Sequence, residues 1–147
     1  MRSLNSLQPL GLLLLRVAAG VIFIYHGYPK LFHRGAGMQG FFVQHGLPGY
    51  FAYVSGILEV FGGGMLILGL FARAAGLLLA VEMAVAIWKV HSGGGIADVH
   101  NYEFPLALGT ASFALATLGA GKLSLDWPLW ESGGGGRSRA PKSPKAK

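Results

Sequence analysis

The sequence predicts an all-α membrane protein, an antiparallel four-transmembrane-helix bundle with both termini cytoplasmic. Three observations predict it. Only 12% of the 147 residues are charged and 52% are hydrophobic, with a mean hydropathy of +0.50, whereas a soluble domain carries about 25% charged residues. Four apolar runs follow one another at 10–28, 50–71, 74–90 and 104–121, each roughly the length an α-helix needs to cross a bilayer core. The cations also fall unevenly on the two sides of these runs. With the N-terminus inside, Arg2, Arg73, Lys122 and five tail cations are cytoplasmic, against Lys30, Arg34 and Lys89 outside. The positive-inside rule therefore puts both ends in the cytoplasm.

The first run, LGLLLLRVAAGVIFIYHGY, is interrupted by Arg16 and His26. Arg16 inside the apolar stretch argues against a cleaved signal peptide, and Pro29 is expected to terminate the helix. The second run carries Glu59 and the third Glu82 and Lys89, while the fourth is uncharged and holds Pro105 in its expected opening turn. The external loops are 31–49 and 91–103, both rich in Gly and His. Residues 35–51 form either an amphipathic surface segment or one that dips into the outer mouth.

The net charge of +6 belongs to the end of the chain. Residues 133–147 hold five cations and no acid, leaving +1 for residues 1–132. A nucleic-acid-binding domain is therefore not indicated. The Gly, Pro, Ser and Lys content of the tail predicts a disordered segment solvated beside anionic lipid. Zero cysteines exclude disulfides, a thiolate zinc site, a cysteine-held iron–sulfur cluster and a Cys nucleophile within this chain. The triplets Gly62–Gly64 and Gly93–Gly95 lack the strand–turn–helix setting of a phosphate loop.

Polar and small residues share helix faces. At spacings of three, four and seven, Arg16, Ala19, Gly20, Phe23, His26, Gly27 and Lys30 align on the first helix. Ser55, Gly56, Glu59, Gly62, Gly63 and Leu66 align on the second. On the third, Glu82, Val85, Ala86 and Lys89 share one face, and Ala72, Gly76, Ala80 and Ala84 another. On the fourth, Glu103, Ala107, Thr110, Ala114, Thr117 and Gly121 line up. Lipid offers a charge no partner, and small residues let helices close around polar groups, so these stripes are expected to face inward. Counted from the cytoplasmic ends, Arg16 lies roughly 8–10 Å deep, Glu59 and Glu82 roughly 13–17 Å, and His26 about 23–25 Å. Arg16 is therefore expected to pair with Glu82 or Glu59, fully neutralising one glutamate only.

The blocks RVAAGVIFIYHGYPKLF, GILEVFGGGMLILGL, RAAGLLLAVEMAVAIWKVH and YEFPLALG…LGAGKLSLDW, in this order, resemble the DoxX family over about residues 10–127. The resemblance implies a small four-helix protein of the bacterial inner membrane. It also implies association with membrane oxidoreductase assemblies, such as the DoxD-type subunit of thiosulfate:quinone oxidoreductase, and with resistance to quinones, catechols or oxidative stress. The family pattern falls on Arg16, His26, Gly27, Lys30, Glu59, Gly62, Gly63, His91, Glu103, Ser124 and Asp126. It departs at Pro29, where a polar residue is usual, which leaves open whether Lys30 continues the helical stripe or turns into the loop.

The expected function is an inner-membrane DoxX-like subunit of a quinone-linked or oxidative-stress-linked oxidoreductase system. A quinol needs an apolar slot and a proton acceptor near each oxygen. Glu59 and His26 are the candidate catalytic pair. Arg16, Lys30, Glu82, His91 and Glu103 are the candidate substrate-binding residues, with Phe23, Tyr25, Tyr53, Phe61 and Trp88 walling the ring. Quinone is the expected substrate, and no recognisable flavin, nicotinamide or iron–sulfur motif accompanies it. His91, Asp98, His100 and Glu103 could form a mixed ligand set, but no paired-histidine spacing supports one and no metal is expected. Expected partners are membrane lipid and either further copies of the chain or redox proteins, which would supply the electrons; nucleic acid is not among them. Two other classes compete: a non-catalytic scaffold recruiting soluble redox enzymes, and a proton-coupled small-solute carrier.

Overall fold

The computed structural model describes residues 6–32, 35–91 and 98–131. Arg2, His33, Arg34, Gly93–Gly95 and the tail at 133–147 lie outside the described residues. Within those described, the chain is helical and holds no strand: α1 (Gln8–Phe32), α2 (Gly35–Gln44), α3 (Phe51–Leu68), α4 (Ala72–Val90), α5 (Val99–Leu118) and a π-helical turn at Trp127–Glu131.

The apolar runs at 10–28, 50–71, 74–90 and 104–121 each contain the body of a helix, and the boundaries move for identifiable reasons. Pro29 does not end α1, which continues to Phe32. A proline this near a helix end removes one backbone hydrogen bond and leaves the last turn intact. Lys30 therefore stays on the α1 stripe. Pro105 likewise lies inside α5, because residues Val99–Glu103, most of them polar, add a turn ahead of the apolar run. By length and apolarity alone, α1 and α3 qualify as membrane-crossing helices. The helix α4 carries Arg73, Glu82 and Lys89, and α5 opens on a polar turn.

Close backbone approach holds α1 against α3. A Cβ on Gly20 would stand 2.5 Å from the Gly63 carbonyl oxygen, and one on Gly27 would stand 2.9 Å from that of Gly56. Higher numbers on α1 meet lower numbers on α3, so this pair is antiparallel. Gly76 faces Ser112, and Gly109 faces Met83, giving α4 and α5 the same opposed sense. Gly62 against Leu79 joins α3 to α4. Phe23, Leu66, Leu79 and Leu115 are fully buried among these contacts.

The stripes expected on α1 and α3 are buried over most of their length. Those on the other two helices hold only in part. The inward face of α4 is Ala72, Ala75, Gly76, Leu79 and Met83, with Ala84 outside. The inward face of α5 is Pro105, Leu108, Ser112 and Leu115, while Glu103, Ala107, Thr110 and Thr117 are exposed. Threonine on a helix needs no neighbouring helix, since its hydroxyl can bond a carbonyl one turn back. Thr110 donates to the Ala107 carbonyl at 2.9 Å and Thr117 to that of Phe113 at 3.1 Å.

A tight turn links α3 to α4. Gly69 closes α3 in a left-handed conformation, with its N–H bonded to Leu66 O and that of Leu70 to Met65 O, a Schellman ending. Phe71 is also left-handed at φ 49°, a strained state for a residue with a Cβ. Asp126 holds it, accepting the Phe71 N–H at 2.8 Å and the Ala72 N–H at 2.9 Å. The backbone of Leu125 and Asp126 bonds Leu68 O and Gly69 O in return. The segment after α5 thus clamps this end of the helices.

Candidate functional site

Where α1 and α4 end and α3 and α5 begin, the helices enclose a cavity of about 580 Å³, within the range of small-molecule sites. Its wall is mostly apolar, built by Phe51 and Val54 on α3, Val81 and Met83 on α4, and Phe104 and Leu108 on α5. The helix α2 closes over it with Met38, Phe41 and Phe42. Residues 35–44 therefore belong to the mouth of the cavity.

A short polar chain forms one side of this space. Lys30 Nζ lies 2.6 Å from Glu59 Oε2 and donates to Ser55 Oγ at 2.8 Å. The Ser55 hydroxyl donates in turn to Glu82 Oε1 at 2.6 Å. Residues on three helices, α1, α3 and α4, are joined through one ammonium and one hydroxyl. The other oxygen of Glu82, Oε2, is buried without a hydrogen-bond partner. A buried carboxylate oxygen left so is costly unless something donates to it, which makes it the point in the cavity most in need of a hydroxyl or N–H.

His26 also lines the cavity. Its Nδ1 donates to the Ile22 carbonyl at 2.9 Å, so a neutral ring presents Nε2 as an acceptor. The imidazole stands 5.3 Å from the Phe104 ring, centroid to centroid. His91 sits at the rim, where Asn101 Nδ2 donates to its carbonyl at 3.0 Å.

The remaining candidates lie elsewhere. Arg16 pairs with neither glutamate. It is fully buried at the opposite end, donating to the Leu123 carbonyl, packed on Gly69 and within electrostatic reach of Asp126. The helix register explains this. Gly27, not Arg16, is level with Glu59, and the eleven residues between them span roughly 16 Å, beyond an arginine's reach. Glu103 is exposed, with His100 Nδ1 at 2.9 Å from its carboxylate, and it does not line the cavity. Asp98, His100 and Glu103 form no cluster with His91 fit to hold a metal, among the described residues.

The expected ring walls are also replaced. Phe23 is in the helix-packing core, and Tyr25, Phe61 and Trp88 point outward, 76%, 64% and 67% exposed. Phe41, Phe42, Phe51 and Phe104 take their place. Ser55, the link between the two acids, was visible as a member of the α3 stripe but not as the hinge of a network.

The DoxX family model matches residues 11–92, a segment that contains Lys30, Ser55, Glu59 and Glu82. This chain belongs to the DoxX family. Its relatives include a Bacillus subtilis protein named "Putative oxidoreductase CatD", 37% identical over 126 residues that cover 84% of this chain and 90% of the relative. An uncharacterized Haemophilus influenzae protein is 35% identical over 134 residues, covering 86% and 96%. An uncharacterized membrane protein of Mycobacterium tuberculosis is 27% identical over 140 residues, covering 85% of each. No solved structure matches the chain. As a DoxX membrane protein, it has its cavity between helices of which two are long and apolar enough to cross a bilayer.

Proposed function

We propose that this DoxX protein is a multi-pass subunit of the bacterial inner membrane whose cavity binds the ring of a quinone or quinol. In this reading α1, α3, α4 and α5 all cross the bilayer as an antiparallel bundle with both termini cytoplasmic, and the charges of α4 are tolerated because they face the cavity or the membrane boundary. The observation that carries it is the unpartnered, buried Glu82 Oε2 at the polar side of a mostly apolar cavity. A quinol hydroxyl donates to that oxygen, while Phe41, Phe42, Phe51 and Phe104 offer the ring apolar contact. The relative named as an oxidoreductase points the same way.

Reducing a quinone takes two electrons and two protons. The electrons come from a redox protein bound to this subunit, and the protons reach Glu82 along the chain Glu59, Lys30 and Ser55, with His26 lining the same cavity. Arg16 has no part in this chemistry. The carrier reading is disfavoured by the far end of the helices, where Arg16 is bonded to the Leu123 carbonyl and Asp126 to the α3–α4 turn, with Phe23 and Leu66 fully buried. Decylubiquinone titrated into the protein in lipid nanodiscs tests the proposal. Glu82→Gln should weaken binding about tenfold, the effect of losing a hydrogen bond to a charged group, and equal affinity would overturn it.

A further inference from the structure

The cavity is walled on one side by residues that are also surface. On α4, Leu78, Val81 and Val85 line it and are nonetheless exposed, Val81 by 55%. Across from them on α3, Val54 does the same. The spacing of Leu78, Val81 and Val85 puts them on one face of α4, so together with Val54 they edge an opening between α3 and α4. Every edge residue is aliphatic. Elsewhere the exposed lining is largely aromatic: Phe41 of α2 lies over the mouth, and the rings of His26 and Phe104 stand 5.3 Å apart, centroid to centroid, between α1 and α5.

Depth gives the opening its meaning. Val81 is nine residues from the start of α4 at Ala72, roughly 13–14 Å along the helix and so near the middle of a 30 Å hydrocarbon core. Glu82 is the next residue, and its carboxylate reaches inward to Ser55. A polar floor and an aliphatic doorway into the acyl chains are therefore one residue apart on the same helix.

We infer that the ligand of this cavity is a long-tailed membrane amphiphile, whose ring sits on the Ser55–Glu82 floor while its tail leaves through the α3–α4 opening along Val54, Leu78, Val81 and Val85. This rests on the quinone reading above and narrows it, from any quinone ring to one carrying an isoprenoid or alkyl chain. Lipid chains are as apolar as the doorway, so the tail adds affinity through close packing against these side chains rather than through desolvation, and a ring without a tail forgoes that packing.

The test compares decylubiquinone with its tail-less parent ring, in nanodiscs, with concentrations expressed as mole fraction in the bilayer. Wild-type protein should prefer the tailed compound by about tenfold or more. Val81→Trp, which fills the doorway from a position already facing outward, should lower the affinity of the tailed compound more than that of the tail-less ring and so erase the preference. Leu14→Trp, on an exposed position of α1 away from the cavity, should leave the preference intact. Equal affinities in the wild type, or a preference that survives Val81→Trp, would overturn the inference while leaving the quinone site standing. Binding of neither compound would remove the quinone reading and this inference with it.

Discussion

The ammonium of Lys30 lies 2.6 Å from a carboxylate oxygen of Glu59 across the α1–α3 contact, next to a second acid, Glu82, reached through Ser55. One cation thus serves two carboxylates, and all three groups sit beside an apolar cavity. Two buried acids without a cation would repel and would each be poorly solvated.

Lys30→Met is therefore expected to destabilise the protein by about 3 kcal/mol, the usual cost of stranding a buried charge. The double variant Lys30→Met/Glu59→Gln should recover most of that loss, since it removes the stranded charge as well. Thermal melting in mild detergent checks both, and a double variant no more stable than the single would contradict the ion pair.

Within the triplet Gly62–Gly64, neighbouring positions should respond oppositely. A Cβ on Gly63 would stand 2.6 Å from the Gly20 carbonyl oxygen, whereas one on Gly64 meets nothing within 4 Å. Gly63→Ala should cost about 1–3 kcal/mol by forcing α1 from α3. Gly64→Ala should be neutral or stabilise by up to about 1 kcal/mol through helix propensity. Melting temperatures of the two variants decide it.

Much of this was legible in the sequence. The small-residue stripes of α1 and α3 marked the faces these helices bury, because glycine spacing and polar residues both demanded the same face. The pairing of Lys30 with Glu59 was not legible, because it depends on register. Counting depth from helix ends treated the ends as level, whereas Gly27 meets Glu59 and Arg16 meets Gly69. In the sequence, Asp126 stands out only as part of a family block. Nothing local announces that a residue after α5 will hold the N-terminus of α4. The stripe of α5 failed for another reason: Thr110 and Thr117 satisfy their own hydroxyls and carry no information about direction.

Arg16 and Asp126 should prove structural. Asp126→Ala removes the acceptor of two backbone N–H groups at the α3–α4 turn and the acid near buried Arg16. A loss of about 2–4 kcal/mol is expected, with decylubiquinone affinity unchanged in the protein that remains folded. A selective loss of binding without loss of stability would return Arg16 and its surroundings to the ligand site.

Glu103 provides the converse control. Exposed and paired with His100, it should tolerate Glu103→Gln with stability changed by less than about 0.5 kcal/mol and with ligand affinity unaltered. Ser55→Ala, by contrast, should weaken ligand binding severalfold, because Glu82 loses the hydroxyl that orients it. Calorimetric titration of both variants separates the two roles.

The convergence of α3 and α4 on one polar floor is open to a direct measurement, because the chain has no native cysteine. Ser55→Cys/Glu82→Cys and, as a control, Arg16→Cys/Glu59→Cys are treated in membranes with a short bifunctional thiol reagent, and the products are mapped by mass spectrometry. Efficient bridging of 55 to 82, with none between 16 and 59, is the predicted result. Bridging of 16 to 59, with 55 and 82 left unjoined, would contradict the site.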